Sequence, residues 1–226
     1  MGERREQIRG ARKFIGDAML KSVTNYPQAR GFIQVDMGEI LDLKEEYLAN
    51  GTKLAMSALM MKLVGTAMKD FPNLNARIEG EEIIYYDEIN CGIGVDIGTG
   101  LLVPVIKDVA NKSVEEISTE FKAMIKKIKE RKITLDDMQG GTFTMTNFAN
   151  FKPEMFTSII TNDQCIIAGV GGIKKQVVVR GDEDEIVVRP MATIVINMNH
   201  TITDGKDVHG LMEKIYEICE SPKEFF

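Results

Sequence analysis

The sequence lacks the features that mark exported, membrane-embedded and nucleic-acid-binding proteins. Its 226 residues contain no apolar run that approaches the roughly 18 residues needed for a transmembrane helix. No apolar segment typical of a signal peptide follows the N-terminal residues MGERRE. The net charge of −6 opposes binding to nucleic acid or to an anionic membrane surface. We therefore expect a cytoplasmic protein whose partners include neither nucleic acid nor membrane.

Cysteine is scarce as well. The three cysteines, Cys91, Cys165 and Cys219, are an odd number and lack the CxxC spacing of a redox or zinc motif. Cys165 lies inside an apolar run, and no residue near it in the sequence resembles an activating base. We predict buried, reduced thiols, and we expect no metal site in this chain.

Repeats, low-complexity segments and flexible linkers are absent, so we expect residues 1–226 to form a single domain. A hydrophobic fraction of 44% is enough to bury a sizeable core. Hydrophobic periodicity predicts helices over residues 7–24, 39–50, 52–71, 113–131 and 206–220, and strands at residues 31–37, 82–86, 89–97, 101–106, 140–147, 165–170, 186–188 and 191–196.

Charged and polar residues on two of these helices have simple structural interpretations. We interpret the lysines along the fourth predicted helix as its solvated face, with a phosphate contact from one of them as the alternative. His209, on the last predicted helix, is interpreted as a structural or surface residue. The lysines in question are at positions 122, 126, 127, 129 and 132.

The other histidine, His200, lies at a position that indicates a possible function. It closely follows the β-branched run at residues 191–196, so it is expected at the end of a buried strand. Imidazole is the ordinary side chain that takes and returns a proton near neutral pH. Asp204 follows four residues later, and Gly205 would allow a sharp turn into the last helix. Two readings stay open at this point: a histidine that satisfies a neighbouring group, and a catalytic base.

A second cluster of polar residues lies at positions 140–147, which read GGTFTMTN. In a strand, Phe143 and Met145 would point to one side and a row of threonine hydroxyls to the other. Rows of threonine are also common in sheets that carry no chemistry.

Five motifs, taken in order along the chain, resemble a known family. Residues 200–205 (HTITDG) resemble the HRxxDG signature of the catalytic domain of the dihydrolipoyl acyltransferases of 2-oxo acid dehydrogenase complexes, and they are also similar to the HHxxxDG signature of chloramphenicol acetyltransferase. The other four motifs are similar to the family's RKxIA, GLxxPV, GGTFTxSN and final LExP. They occur here as RKFI (12–15), GLLVPVI (100–106), GGTFTMTN (140–147) and ESP (220–222).

The resemblance implies a fold and a chemistry. The expected fold is the α/β fold of chloramphenicol acetyltransferase, a two-layer structure with a mixed sheet and helices packed on one side. The expected assembly is a homotrimer with its active site between subunits. The expected reaction moves an acyl group between coenzyme A, which is a substrate here, and a thiol such as the dihydrolipoyl group.

The resemblance also implies roles for individual residues. His200 takes the place of the general base, and Thr146 that of a serine whose hydroxyl stabilises the oxyanion of the tetrahedral intermediate. Asp204 matches the aspartate that braces the histidine loop. The cofactor-binding positions are Asn147 and Gly205, and the positions that support the site are Arg12, as a partner of Asp204, and Asn199.

Departures from the family pattern leave alternatives. Asn199 and Thr201 flank His200 where the family has an acidic residue and an arginine. We expect no lipoyl domain, no covalent lipoyl group and no peripheral-subunit-binding segment in this chain, so the acceptor would be a separate lipoyl protein or another molecule. The alternatives are a non-catalytic trimeric scaffold or regulator of the same fold, and a stand-alone acetyltransferase acting on a small hydroxyl or amine.

Overall fold

A computed structural model describes residues 2–98, 100–181 and 183–226. This part of the chain contains five helices and eleven strands, with short 3₁₀ turns between some of them. In chain order they are α1 (Ala11–Asn25), β1 (Gln28–Asp36), α2 (Gly38–Ala49), α3 (Met56–Met68), β2 (Ala76–Glu79), β3 (Glu82–Tyr85), β4 (Cys91–Ile93), β5 (Val95–Asp96), β6 (Leu101–Leu102), β7 (Val105–Ile106), α4 (Val114–Lys129), β8 (Phe143–Asn147), β9 (Ile166–Val170), β10 (Lys174–Arg180), β11 (Glu185–Asn199) and α5 (Gly205–Glu220).

A seven-stranded mixed sheet organises the fold. Its strands lie in the order β1-β11-β9-β8-β4-β7, and β10 also pairs with β11. The pairs β8–β9 and β4–β8 are parallel, and the others are antiparallel. Two separate two-stranded sheets, β2–β3 and β5–β6, complete the described strands.

Helices cover one face of this sheet and enclose the core, which confirms the predicted two-layer α/β class. Helix α3 lies at the centre, and its four methionines, at positions 56, 60, 61 and 68, are buried. Across the sheet, Phe143 and Met145 of β8 are fully buried in this core, whereas the hydroxyl of Thr144 bonds to Gln164. The threonine row therefore faces away from the helices, as the alternation predicts.

The other face of the sheet is covered in part by the segment that follows β8. The ring of Phe156 packs over Gly169 of β9, and the carbonyl oxygen of Ser158 accepts a hydrogen bond from Asn197 of β11. Gly171 lies where this segment crosses the end of β9, because a Cβ there would overlap the carbonyl oxygen of Glu154. The segment thus passes beside the end of β8 as well, because the ends of the parallel strands β8 and β9 are neighbours.

Helix α1 differs from the expectation. It begins at Ala11 rather than at residue 7, so Ile8 lies outside it. Its apolar side chains also remain exposed in the single chain: Phe14 is 74% and Leu20 is 64% accessible to solvent. The helix is therefore anchored mainly through its last turn, where Gln28 donates a hydrogen bond to Ser22.

Strand boundaries differ from the predictions at several places. The runs predicted at residues 186–188 and 191–196 belong to one strand, β11, which continues through Pro190. Residues 89–97 and 101–106 each contain two short strands, and β2 and β10 had no prediction. The helices after α1 lie close to their predicted positions, and α4 begins with the expected capping box of Ser113 and Glu116. None of the described helices is long and apolar enough to cross a membrane.

Candidate active site

His200 stands immediately after β11, in a turn that leads to α5. Its backbone N–H donates to the carbonyl of Pro27 at 2.8 Å, which ties the turn to the start of β1. The side chain is 43% exposed, and its Nδ1 lies 3.6 Å from a carboxylate oxygen of Asp204. Because the imidazole is accessible and has a carboxylate beside one nitrogen, it can exchange a proton through the other.

Asn199 shapes this turn from inside the protein. The residue is fully buried, and its Oδ1 accepts the backbone N–H of Thr201 at 3.0 Å. Its carbonyl accepts the N–H groups of Ile202 and Thr203. The side chain and the carbonyl of Asn199 therefore fix the backbone that follows His200, and its supporting role at the site stays a prediction.

Gly205 and Arg12 do not take the local positions expected of them. Gly205 is the first residue of α5, and its φ lies outside the left-handed region, so the backbone does not require glycine for a sharp turn there. Arg12 is exposed on α1, and no ion pair between it and Asp204 forms within the described chain. A brace between Arg12 and Asp204 would have to join two different chains.

Thr146 and Asn147 end strand β8 at the N-terminus of α3. Asn147 donates from Nδ2 to the hydroxyl of Ser57 at 3.1 Å and accepts the N–H of Ala149 at 2.9 Å. Thr146 is partly exposed, and its Oγ1 faces Gly94, which lies between β4 and β5 and has no side chain to cover the hydroxyl. Asn147 thus holds the strand end that presents Thr146.

Strand register places Thr146 and His200 far apart in one chain. Thr146 is opposite Gly169, which in turn is opposite Val195 on β11, five residues before His200. With strands about 4.8 Å apart and a rise of about 3.3 Å per residue, the two backbones are separated by about 19 Å. Neither side chain can span that distance, so the two residues do not form a site within a single chain.

A groove beside the Thr146 end was not predicted as part of the site. Its apolar floor is formed by Ala55 and by Phe121 and Ile125 of α4, and its rim by Lys122, Lys126 and Lys129; its volume is about 370 Å³. Ala55 precedes α3 by one residue, so the groove and the Ser57–Asn147 hydrogen bond share one helix end. The sequence of α4 shows an apolar face, but it does not show that this face is incompletely buried in the fold.

The cysteines and His209 lie outside both the His200 turn and the region at the end of β8. All three cysteines are buried, and burial raises the pKa of Cys165 and of Cys219 to about 12 and that of Cys91 as well. The predicted burial is confirmed. His209 is exposed and lies 3.2 Å from Glu213 on the same helix. Within residues 2–98, 100–181 and 183–226, no group of three or more His, Cys, Asp or Glu side chains is placed to hold a metal ion.

Comparison with known proteins assigns the chain to a family. The family model described as "2-oxoacid dehydrogenases acyltransferase (catalytic domain)" matches residues 1–226, and the chain belongs to that family. Among individual relatives, the chain is 33% identical over 97% of its length to the dihydrolipoyllysine-residue succinyltransferase component of the 2-oxoglutarate dehydrogenase complex of Staphylococcus saprophyticus. It spans 53% of that relative, about half of the longer protein.

Solved structures agree with the fold. A probable dihydrolipoamide acetyltransferase from Listeria monocytogenes superposes with a TM-score of 0.89 at 31% identity, covering 97% of this chain and 95% of that one. A chloramphenicol acetyltransferase superposes with a TM-score of 0.53 at 15% identity, covering 85% and 86% of the two chains. The expected chloramphenicol acetyltransferase-like architecture is therefore confirmed.

Proposed function

We propose that this domain transfers an acyl group between coenzyme A and the thiol of a dihydrolipoyl group, using a site shared by two copies of the chain. His200 of one copy is the general base that removes the proton from the attacking thiol. Thr146 of the next copy donates a hydrogen bond to the oxyanion of the tetrahedral intermediate. Family membership supports the reaction class, and the relatives' names support the acceptor.

The observation that carries this proposal is the separation of about 19 Å between the backbones of Thr146 and His200, obtained from the strand register. Both residues are at least partly exposed, and they lie near opposite ends of the central strands. A head-to-tail contact between copies would bring two such surfaces together, and a rotation that closes produces a ring. We propose that the ring is a homotrimer, as the sequence resemblance implies.

The chemistry of each half fits its role. At one surface, Asn199 and the Pro27 carbonyl hold the backbone of the His200 turn, and a carboxylate oxygen of Asp204 lies 3.6 Å from Nδ1 of the imidazole, where it can orient the ring. At the other, the Thr146 hydroxyl is partly exposed and stands beside Gly94, which has no side chain to cover it. One such donor is typically worth about 3–4 kcal/mol of barrier.

The groove between Ala55 and α4 supports coenzyme A as the second substrate. It combines an apolar floor with lysine ammonium groups, and its Ala55 lies two residues before Ser57, which accepts the hydrogen bond from Asn147 at the end of β8. A nucleotide with several phosphates and an apolar arm presents the matching chemistry. We place the phosphates of coenzyme A at Lys122, Lys126 and Lys129, with its thiol directed towards Thr146.

Intersubunit complementation tests this function. His200→Ala and Thr146→Val chains, each purified alone, should release little coenzyme A from acyl-CoA with dihydrolipoamide as acceptor. When the two chains are co-expressed with different tags and only rings that contain both are isolated, about one third of wild-type activity should return, because one of the three sites in each mixed ring receives both intact residues.

Three results would contradict the proposal at different points. Full activity in the His200→Ala enzyme would exclude that residue as the base. Absence of complementation, with both inactive chains found in the same oligomers, would exclude a shared site. A wild-type protein that neither releases nor binds coenzyme A by calorimetry would favour a scaffold of the same fold.

A further inference from the structure

Two backbone hydrogen bonds hold the turn that carries His200, one from each neighbouring strand. The N–H of His200 donates to the carbonyl of Pro27, and the N–H of Asn199 donates to the carbonyl of Cys165, both at 2.8 Å. Pro27 precedes β1 and Cys165 precedes β9. The position of the histidine therefore depends on the separation of these two strand ends.

A side-chain contact joins the chain just before each of these two anchors. The hydroxyl of Tyr26 donates to Oδ1 of Asp163 at 2.8 Å, across 137 residues of sequence. The other carboxylate oxygen accepts a hydrogen bond from Lys21 of α1 at 2.9 Å. Asp163 is itself fixed to the sheet β2–β3, because its carbonyl accepts the N–H of Ile78 at 2.8 Å. Tyr26 and Asp163 thus close a bracket around the His200 turn.

The bracket has features that keep it closed. Burial, together with the hydrogen bond and the negative charge of Asp163, raises the pKa of Tyr26 to about 12, so the phenol remains a donor throughout the neutral range. Asp163 and the preceding Asn162 both have left-handed backbones, with φ values of 57° and 55°. Short polar side chains tolerate that conformation better than other non-glycine residues, and the turn directs the carboxylate towards Tyr26.

We propose that Tyr26 and Asp163 are positioning residues for the acyl-transfer reaction: their hydrogen bond fixes the spacing of the Pro27 and Cys165 carbonyls and thereby the aim of His200. This inference rests on the proposed function, because it presumes that the aim of His200 matters to the reaction. Neither residue touches the substrate in this role. They act through the two backbone carbonyls that hold the histidine turn.

Kinetics of three variants test the inference. Tyr26→Phe removes the hydroxyl and should lower kcat about tenfold with KM for acyl-CoA unchanged, because small misplacements of a catalytic group are costly. Asp163→Asn keeps an acceptor oxygen and tolerates the left-handed backbone, so its kcat should stay within about twofold of the wild type. The matched control is Tyr216→Phe, which removes a hydroxyl that accepts a hydrogen bond from Arg180 far from His200 and should leave kcat unchanged. Thermal unfolding and sedimentation of each variant identify losses that follow from unfolding or dissociation.

A spectroscopic arm is independent of activity, because the chain contains only two histidines. In protein labelled with ¹³C-histidine, Tyr26→Phe should shift the imidazole signal of His200 and leave that of His209 in place. Tyr216→Phe should shift neither. The two signals are assigned with His200→Ala and His209→Gln.

The two arms separate failure of the inference from failure of the proposed function. Unchanged kcat together with an unchanged His200 signal in Tyr26→Phe would overturn the positioning role. If the wild-type enzyme or the His200→Ala control shows that the proposed reaction is wrong, only the spectra test the positioning role. In that case a His200 signal that shifts in Tyr26→Phe but not in Tyr216→Phe supports the bracket. The positioning role would also be overturned if kcat fell only in proportion to the amount of unfolded Tyr26→Phe protein and the His200 signal did not shift.

Discussion

At the residue scale, the hydroxyl of Thr146 can be separated from the shape of its side chain. Thr146→Val keeps the β-branched shape and removes the donor, so we expect kcat to fall by about 10²- to 10³-fold with little change in stability. Thr146→Ser restores the hydroxyl with freer rotation about χ1, and it should retain most of the activity. Steady-state coenzyme A release measures both variants. Equal activity in the valine and serine enzymes would show that the hydroxyl does not contribute to catalysis.

Asp36 is the residue whose ionisation should be visible in stability. Burial works to raise its pKa, but hydrogen bonds from Arg189 and the Gly38 amide, together with the charges of Arg189 and Arg180, outweigh burial and hold the pKa below its usual value of 3.8. A carboxylate with a depressed folded-state pKa adds stability above its unfolded pKa and loses it as the pH falls through the folded value.

Urea unfolding as a function of pH measures this effect. The wild type should lose stability as the pH falls below about 4, and Asp36→Asn should be less stable by about 1–3 kcal/mol at pH 7 but flatter below pH 4. Asp17→Asn, which alters an exposed ion pair on α1, is the control and should change little. Parallel pH profiles for the wild type and Asp36→Asn would contradict the prediction.

At the element scale, the crossing of the segment after β8 over Gly171 links stability to the site. Gly171→Ala places a Cβ against the backbone of Glu154, which cannot rotate away. We expect a loss of about 1–3 kcal/mol, because the crowding must be relieved by a backbone shift. The same shift should lower acyl-transfer activity, since the displaced segment follows directly after Thr146 and Asn147, the last residues of β8.

Gly16→Ala is the matched control for this substitution. Gly16 lies in α1 with no atom near its missing Cβ, so alanine there should be neutral or stabilising by up to about 1 kcal/mol. Thermal unfolding and coenzyme A release compare the two variants. A Gly171→Ala protein as stable and active as the Gly16→Ala protein would mean that the segment moves freely.

Periodicity in the sequence was sufficient for most elements because burial on one side leaves a regular pattern. The alternation of Phe32 and Gln34 with Ile33 and Val35 gave β1, and the long apolar run gave α3. Strand β10 had no prediction, because its residues 174–180 read KKQVVVR, which has no clear alternation of polar and apolar positions. Strand β10 pairs with β11 in a hairpin, and no local sequence pattern predicts that hairpin.

The sequence was sufficient to name candidate site residues, but not to predict where the fold places them relative to one another. The motifs indicated His200 and Thr146, yet their positions at distant ends of the central strands follow from register, which depends on contacts between distant parts of the chain. Gly205 was expected to need an unusual φ and has an ordinary one, since the turn is made by Asn199 and the residues after it. The bracket between Tyr26 and Asp163 left no motif in the sequence.

At the scale of the whole molecule, two exposed apolar surfaces are attached at opposite ends of β1. One is α1, and the other is the outer side of the β10–β11 hairpin. On the hairpin, Val177 faces Val188 and Val179 faces Ile186 in neighbouring cross-strand pairs, and all four side chains are more than half exposed. Contiguous apolar surface of this kind is typical of an interface. We expect the hairpin to contact a second copy of this chain.

Val188→Asp tests that expectation by placing a charge on the hairpin surface. Sedimentation should show smaller species than the wild type, and acyl transfer should fall in parallel because the shared site is lost. Lys175→Asp is the control: it changes an exposed charge on the same side of the hairpin and should leave assembly intact. A Val188→Asp protein of wild-type size and activity would exclude this surface from the assembly.

The distance between Thr146 and His200 also has a consequence for inheritance. In the proposed ring each chain supplies its histidine to one site and its threonine to another, so a chain that carries both His200→Ala and Thr146→Val disables two of the three sites in any ring it enters. Such an allele would be dominant over the normal gene, because mixed rings would keep at most one working site. An allele that cannot assemble at all would be recessive.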